Sequence, residues 1–471
     1  MESALHGVRI IDNGIVQAGT FPARLLADFG AEVVRVENYL RPDLARNYVF
    51  LEEGPGDRYW EQGGTYHEQH RNKARCIGLD VRRPEGRDAF LRLCTVSDVV
   101  LDSHPPGVLD RLGLGHEDLR RFKPDLIVIT TSGYGHGGPY SSVRSFGMMT
   151  EIMCGLSWLN GYAGEQPRRG TFPFTDHETV YHIAFIILAA LERRDRTGEG
   201  AWIDVSQYEV GINMLGDAYV ARGMGADVPE RTGNAEPGEA FSGCYPCAGP
   251  DAWIAIGVRD RAAWVALCDL IGRRDLATEF EPCSRTVSEE ERTIIDHAIR
   301  EWTAERPAES CLVEMQRRGI AAGVVNDIRD LLLDPQLAAR DFFRLVEHDP
   351  EQAVGRRAWP GASARLAATP ARSYRHAPML GEHNCTVLRD LLGYREEEYD
   401  ATATAGAVGA VPLAAGIRPP ARPTAQRLEF GPWAHGRIKE YDADFEERMK
   451  RRFGHTFGPN PASPEAGRSV T

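Results

Sequence analysis

The stretch VRIIDNGIVQAGTFPARLLADFGAEVVRV, residues 8–36, decides the reading of the whole chain. Its first five residues are a short β-branched run, and Phe21–Phe29 carries apolar residues at helical spacing. Gly30 supplies a helix stop and Glu32–Val36 returns to strand character, so the segment reads as strand, helix, strand. Outward from it the pattern repeats in CIGLDV at 76–81, a helix from Pro84, VVLDS at 99–103, a helix near Glu117–Phe122, and DLIVITT at 125–131. Strands alternating with helices predict an α/β fold whose mainly parallel sheet is covered on both faces.

Further along, residues 177–195 (HETVYHIAFIILAALERRD) predict a long buried helix, followed by the strand AWIDVS and a helix from Gln207. This closes a first domain over 1–222. A Gly/Pro-rich stretch at 223–250 opens a smaller α/β domain, placed at 223–325. Residues 401–424 are low-complexity Ala/Gly/Pro and are expected to form a flexible linker. The tail, 425–471, holds one expected helix in YDADFEERMKRRF.

Composition narrows the partners. The 471 residues are 42% hydrophobic, core material enough for two or three folded units. A formal charge of −13 opposes attraction to polyanions, so nucleic acid is not an expected partner. Nine cysteines without regular spacing read as reduced thiols. The opening MESALHGVRIID lacks the basic start and apolar run of a signal peptide, and the longest apolar run, Ile183–Leu191, is about half a membrane span. A soluble, cytoplasmic protein with no membrane partner is expected.

Three motifs fail on context. Gly133-Tyr-Gly135-His-Gly-Gly138 matches the dinucleotide pattern after a strand, but that fingerprint needs a helix next, and Pro139–Ser145 has no apolar helical period. A turn that lets backbone approach a neighbour is the better reading. Cys244-Tyr-Pro-Cys247 has redox spacing, yet it lies between a loop and a strand and no second pair accompanies it. His177 and His182 are five apart, which does not put both rings on one helix face, so no metal site is expected.

Asp176, in GTFPFTDHETVYHIAF, stands where a Pro-containing loop meets the long apolar helix. Two readings are open on the residues alone. It is a helix N-cap, or it is a carboxylate held ionised by the helix dipole and the free N–H groups, able to act as a nucleophile.

Here the chain resembles the family III CoA-transferases, the group that includes formyl-CoA transferase and carnitine CoA-transferase. The resemblance begins with LHGVRIIDNGIVQAGTFPARLLADFGAEVVRVEN, and continues through RCIGLDVRRPEGRDAFLRL and PPGVLDRLGLGHEDLRRFKPDLIVITTSGYGHGGPY. Beyond Asp176 it resumes in ILAALERRDRTGEGAWIDVSQYE, GNAEPGEAFSGCYPC and APMLGEHNCTVLRDLLGY, covering most of residues 5–400 in family order. FPFTD and VENYLRPDLAR are most similar to the carnitine branch.

The resemblance implies a Rossmann-like large domain built from both ends of the chain, with 326–400 as the return segment that completes it, a smaller domain between, and an interlocked homodimer. It implies CoA transfer from an acyl-CoA to a small carboxylic acid through an aspartyl-CoA thioester, with Asp176 as nucleophile and Gln17 beside it. CoA is then a substrate and no tightly bound cofactor is expected. Ala18, Arg75, Arg111 and Arg144 match positions near CoA in relatives. Three positions depart from the family pattern: Val180 replaces a glycine, Asp102-Ser103-His104 replaces Glu-Asn-Phe, and Thr20 replaces a proline. Two alternatives remain, an α-methylacyl-CoA racemase and a non-catalytic CoA-binding homologue. The racemase needs a proton-transferring histidine where this chain has Phe146.

Overall fold

A computed structural model describes residues 2–48, 57–226, 231–236, 239–283, 287–371, 374–413 and 444–454. The chain divides into two units. One comprises 1–154, 171–216 and 332–471, the other 155–170 and 217–331. The expected first domain over 1–222 thus differs from the structure in two places: 155–170 groups with the second unit, and the first closes at 216.

The first unit is built on a six-stranded sheet of β1 (Arg9–Asn13), β2 (Glu32–Glu37), β3 (Arg75–Gly78), β4 (Val99–Asp102), β5 (Ile127–Ser132) and β6 (Ala201–Ser206). Its order is β3-β2-β1-β4-β5-β6 and every pairing is parallel. Strand residues alternate between two cores, as a pleat of period two requires. Ile11, Val34, Ile77, Val100 and Val128 face Phe90 and Leu93 of one helix, Pro84–Thr95. Ile10, Val33, Val99, Ile127 and Ile129 face Ala23 and Leu26 of α1 (Val16–Asp28) and Ile183 and Ile187 of a long helix, Phe174–Thr197. Such a sheet, buried on both faces, explains why its strands read as near-continuous apolar runs.

In the second unit, strands Phe241–Pro246, Trp253–Val258 and Ala321–Val324 form an antiparallel sheet packed on helices that include Arg261–Leu270 and Glu289–Ala304. Its core is centred on the fully buried Trp264. Cys247 lies just past the first of these strands, and its thiol shares a hydrogen bond with Cys311. No helix among the described residues is long and apolar enough to cross a membrane.

The expected linker needs correction at its start. Residues Glu396–Thr404 are helical, and the chain then lies along the open edge of β3. Asp80 N donates to Ala407 O at 2.8 Å, Gly409 N donates to Gly78 O at 3.0 Å, and Leu79 bridges Val408 antiparallel. Small residues permit this close approach rather than flexibility, since a Cβ on Gly409 would sit 2.4 Å from the Tyr39 ring. The segment covers a sheet edge that would otherwise be unpaired. The rest of the expected linker, 414–424, lies outside the described residues, as do 425–443 and 455–471 of the tail. The expected tail helix is observed over Phe445–Phe453.

A chain truncated after 404 is expected to melt several degrees below one truncated after 413, because only the longer one keeps the cover on β3. Thermal denaturation of the two proteins side by side checks this. Equal melting temperatures would return 405–413 to the role of linker.

Candidate active site

In a sheet of this order the strands reverse direction of addition between β1 and β4, and the crevice beyond their carboxyl ends is where ligands bind. The turn Gly14–Gln17 occupies that crevice. Arg35, 1% exposed, donates to the carbonyl oxygens of Asp12 and Gly14 and pairs with Asp12 at 3.3 Å and Asp43 at 3.1 Å. Both oxygens of Asp43 accept the Val16 N–H, at 3.1 and 3.0 Å. Val16 has φ +56°, a left-handed conformation unfavourable for a β-branched residue and held only by such over-determination.

Two of the three departures noted above, Thr20 and Asp102–His104, serve this turn. Thr20 Oγ1 donates to Asp12 at 2.5 Å, and Lys73 Nζ donates to the same carboxylate at 2.7 Å. Burial pushes the Lys73 amine down to about 8, with Asp12 opposing. From the end of β4, Asp102 accepts the Asn13 amide at 2.7 Å and pairs with His104, while Ser103 Oγ accepts the Ile15 N–H at 2.8 Å. The turn therefore delivers Gln17 into the crevice. Gln69 Nε2 donates to Gln17 Oε1 at 2.6 Å, which turns the Gln17 NH2 toward His177 Nδ1 at 3.3 Å. Burial lowers the His177 pKa, so its ring is neutral and can accept.

Asp176 is the residue before His177. It sits in the first turn of the long helix, labelled α3 below after α1 and α2 (Gly147–Met153), and it is not the N-cap. That position is Pro173, which has no side-chain acceptor, and the first-turn donor Phe174 N is taken by Glu151 of α2 at 3.1 Å. Relieved of capping, the Asp176 carboxylate accepts Gln207 Nε2 at 2.6 Å. Gln207 is the first residue of α4 (Gln207–Asn213), directly beyond the carboxyl end of β6. Its place at a helix start does not keep the carboxyl in the ordinary aspartate range. Burial pushes its carboxyl up to about 6, with the Gln207 hydrogen bond opposing and the Glu151 charge adding.

The carboxylate rests against Gly147. A Cβ there would lie 2.4 to 2.5 Å from Cγ, Oδ1 and Oδ2 of Asp176. Two hydroxyls fix this contact: Thr150 and Thr175 both donate to Gly147 O, at 2.8 and 2.9 Å. Three helices thus converge on one half-buried carboxyl group pushed up to about 6, with the Gln207 amide on one of its oxygens.

Of the residues expected near CoA, Ala18 is the third residue of α1, next to Gln17, and is buried. Arg144 is exposed in the loop three residues before Gly147 and makes no ion pair among the described residues. Arg111, also exposed, ends a short helix, Val108–Arg111. Asp110 and Gly107 of that segment line a cavity of about 280 Å³ shared with Asp102, His116, His136 and Trp202. Arg75 is not brought to Asp176: opposite Val34 on β3, it pairs with Glu32 at the start of β2. Val180 is buried one helical turn beyond Asp176. The Gly133–Gly138 loop is followed by a turn to Ser142 and an irregular stretch to Gly147, without the helix a dinucleotide site needs, and His136 is held by Asp204 at 2.9 Å.

Gln207, Gly147, Glu151 and Gln69 were not singled out from sequence. The one available signal was the position of Gln207 just past a strand, at the edge of the sheet where parallel α/β folds place function.

Residues 5–384 match the profile of CoA-transferase family III. The chain is 33% identical over 396 residues to succinyl-CoA:D-citramalate CoA-transferase of Chloroflexus aurantiacus, covering 84% of this chain and 95% of the relative. It is 28% identical to formyl-CoA:oxalate CoA-transferase of Afipia carboxidovorans, over 88% of this chain and all of that one. A CAIB/BAIF family protein from Brucella suis, of known crystal structure, superposes with a TM-score of 0.73 at 27% identity, covering 83% of this chain and 100% of that one.

The Asp176 carboxyl, at about 6 in the fold against 3.8 without it, binds its proton more tightly when folded. Its contribution to stability is full below about pH 4 and is lost as pH rises through about 6. Asp176→Asn keeps an acceptor for Gln207 and carries no charge, so it is expected to melt above the wild type at neutral pH, by on the order of 1–3 kcal/mol. The gain should vanish near pH 4. Identical melting curves at both pH values would show that the carboxyl is not desolvated.

Proposed function

The chain belongs to CoA-transferase family III, and from that membership we propose that Asp176 carries CoA as a covalent thioester between an acyl-CoA donor and a small carboxylic acid. The observation that supports this is the seat of its carboxylate, ionised above about 6 and bound by Gln207 against Gly147.

A carboxylate oxygen of Asp176 attacks the acyl carbon, forming a C–O bond as the C–S bond breaks and CoA thiolate leaves. The thiolate then attacks Cγ of Asp176 in the mixed anhydride, and the donor acid departs with the bridging oxygen. The acceptor carboxylate attacks the aspartyl-CoA thioester, CoA thiolate leaves again, and its attack on the acceptor carbonyl frees Asp176. One thioester replaces another, so each half is close to energetically neutral.

Gln17, oriented by Gln69, presents an amide donor where the acyl oxygen gains charge. Ala18 belongs to the first turn of α1, whose N–H groups lack acceptors within the helix and suit an anionic or carbonyl oxygen. Arg111 and Arg144, exposed and without ion pairs among the described residues, are the cations for the CoA phosphates. Arg75 would have to leave Glu32 to join them. The racemase reading has no proton carrier at Phe146, an exposed ring at the start of α2.

Two copies of the chain are proposed to assemble. Tyr181, Phe185 and Leu188 on α3, and Met149 and Ile152 on α2, are between 43% and 71% exposed. An apolar patch of that kind on a soluble enzyme marks a protein contact.

The printed names of the relatives supply the first trial substrates, succinyl-CoA with D-citramalate and formyl-CoA with oxalate. Asp176→Ala and Asp176→Asn are expected to lose transfer by about a thousandfold or more, while still binding CoA and eluting at the wild-type size. Turnover within about tenfold of wild type in either variant would contradict covalent catalysis by Asp176.

A further inference from the structure

The carboxylate of Asp176 is not symmetric. Gln207 Nε2 lies 2.6 Å from Oδ1, and among the described residues no side chain or backbone group donates to Oδ2. Gln207 is itself held in place. It is 8% exposed, and Ser206 before it caps α4 by accepting the Glu209 N–H at 3.3 Å. The opposite side of the carboxylate is closed by Gly147, which Thr150 and Thr175 lock to α3. A carboxylate seated in this way cannot rotate freely, so its two oxygens have different tasks.

The geometry points to Gln207 as a catalytic residue of the aspartyl half of the transfer, donating to the oxygen of Asp176 that becomes the oxyanion when a nucleophile adds to Cγ. This rests on Asp176 being the nucleophile. Oδ2 attacks the acyl carbon and becomes the bridging oxygen of the anhydride. When CoA thiolate adds to Cγ, the electron pair of the Cγ–Oδ1 double bond moves onto Oδ1. The pair returns as the bond from Cγ to the bridging oxygen breaks, and the donor carboxylate leaves. No proton moves in either step. A donor already aimed at Oδ1 stabilises the charge without reorganising, and removing one such donor from other acyl-transfer sites costs about 100- to 1000-fold in kcat.

The charges around the group are few. α2 contributes Glu151 and α4 contributes the uncharged Gln207. α3 itself contributes neutral His177, through which α1 presents uncharged Gln17, and no charge of β5 or β6 acts on the carboxyl. Gln207 favours the ionised form, so its loss moves the ionisation of Asp176 upward.

Gln207→Leu keeps the volume and removes the donor. It is expected to lower kcat by about 100-fold with an unchanged KM for acyl-CoA, and to move the acid limb of the pH profile up by about one unit. Gly147→Ala, which suits a helix but takes the space of the carboxylate, should also lower kcat at unchanged KM. A folded Gln207→Leu protein with wild-type kcat and an unmoved acid limb would overturn the assignment, as would wild-type kcat in Gly147→Ala. Asp176→Asn separates the two levels: if it is inactive while Gln207→Leu is normal, only the role of Gln207 fails, and if it is active the nucleophile itself is misassigned.

Discussion

The guanidinium of Arg35 is the contact on which the site depends. It is almost wholly buried on β2, next to the strand that ends in the active-site turn, and it joins Asp12, Asp43 and the backbone of Gly14. Burying charges is expensive, and replacing a whole buried ion set with apolar groups is often neutral, but removing one partner typically costs about 3–5 kcal/mol. The network continues through Glu37 to Arg46 at 2.8 Å and on to Glu61 at 2.9 Å, with the Arg46 guanidinium 3.6 Å over the Tyr66 ring. Such an arrangement gives direction rather than stability. It holds Val16 at a positive φ and so aims Gln17, a task that an apolar core could not perform.

The second constraint acts at Asp176. A carboxylate proposed as nucleophile must be ionised, yet it must also be dry enough to react, and burial raises its pKa. The fold balances the two with one neutral donor rather than a cation. An arginine at the position of Gln207 would pull the carboxyl down and tie up its oxygens in an ion pair. An amide lets it ionise near 6 while leaving Oδ2 free for the proposed attack. Glu151 completes the balance by taking over the helix cap, which frees Asp176 from the task its sequence position suggests.

Local pattern made much of this legible. The β1–α1–β2 unit, the alternation of strands and helices and the long helix after Asp176 follow from apolar periodicity and appear as expected. Asp176 was singled out where a loop meets the long helix and Gln17 through a resemblance to known motifs, and the structure bonds Gln17 to the neighbour of Asp176, His177. What local pattern could not supply was anything set by convergence of distant segments. Gln207 is 31 residues from Asp176, and no spacing rule joins them. Gly147 carries no local signal of its own, and only the fold rests the carboxylate on it. Residues 405–410 read as linker because Ala and Gly are small, and smallness is the property that lets them pack on β3. Arg75 matched a family position, but Glu32 is a partner that only the parallel pairing of β2 and β3 brings near.

The central claim, that Asp176 exchanges an oxygen with the acids it serves, is tested most directly with oxygen-18. An acid that supports turnover is supplied fully labelled together with its own CoA ester, and the peptide containing Asp176 is weighed after digestion. Covalent transfer leaves one oxygen of each incoming acid on Asp176, so the account predicts a peptide that gains one label in the first turnover and, because Gln207 holds Oδ1 on Cγ, still carries one after many. Acyl exchange that proceeds while this peptide stays unlabelled would contradict the account.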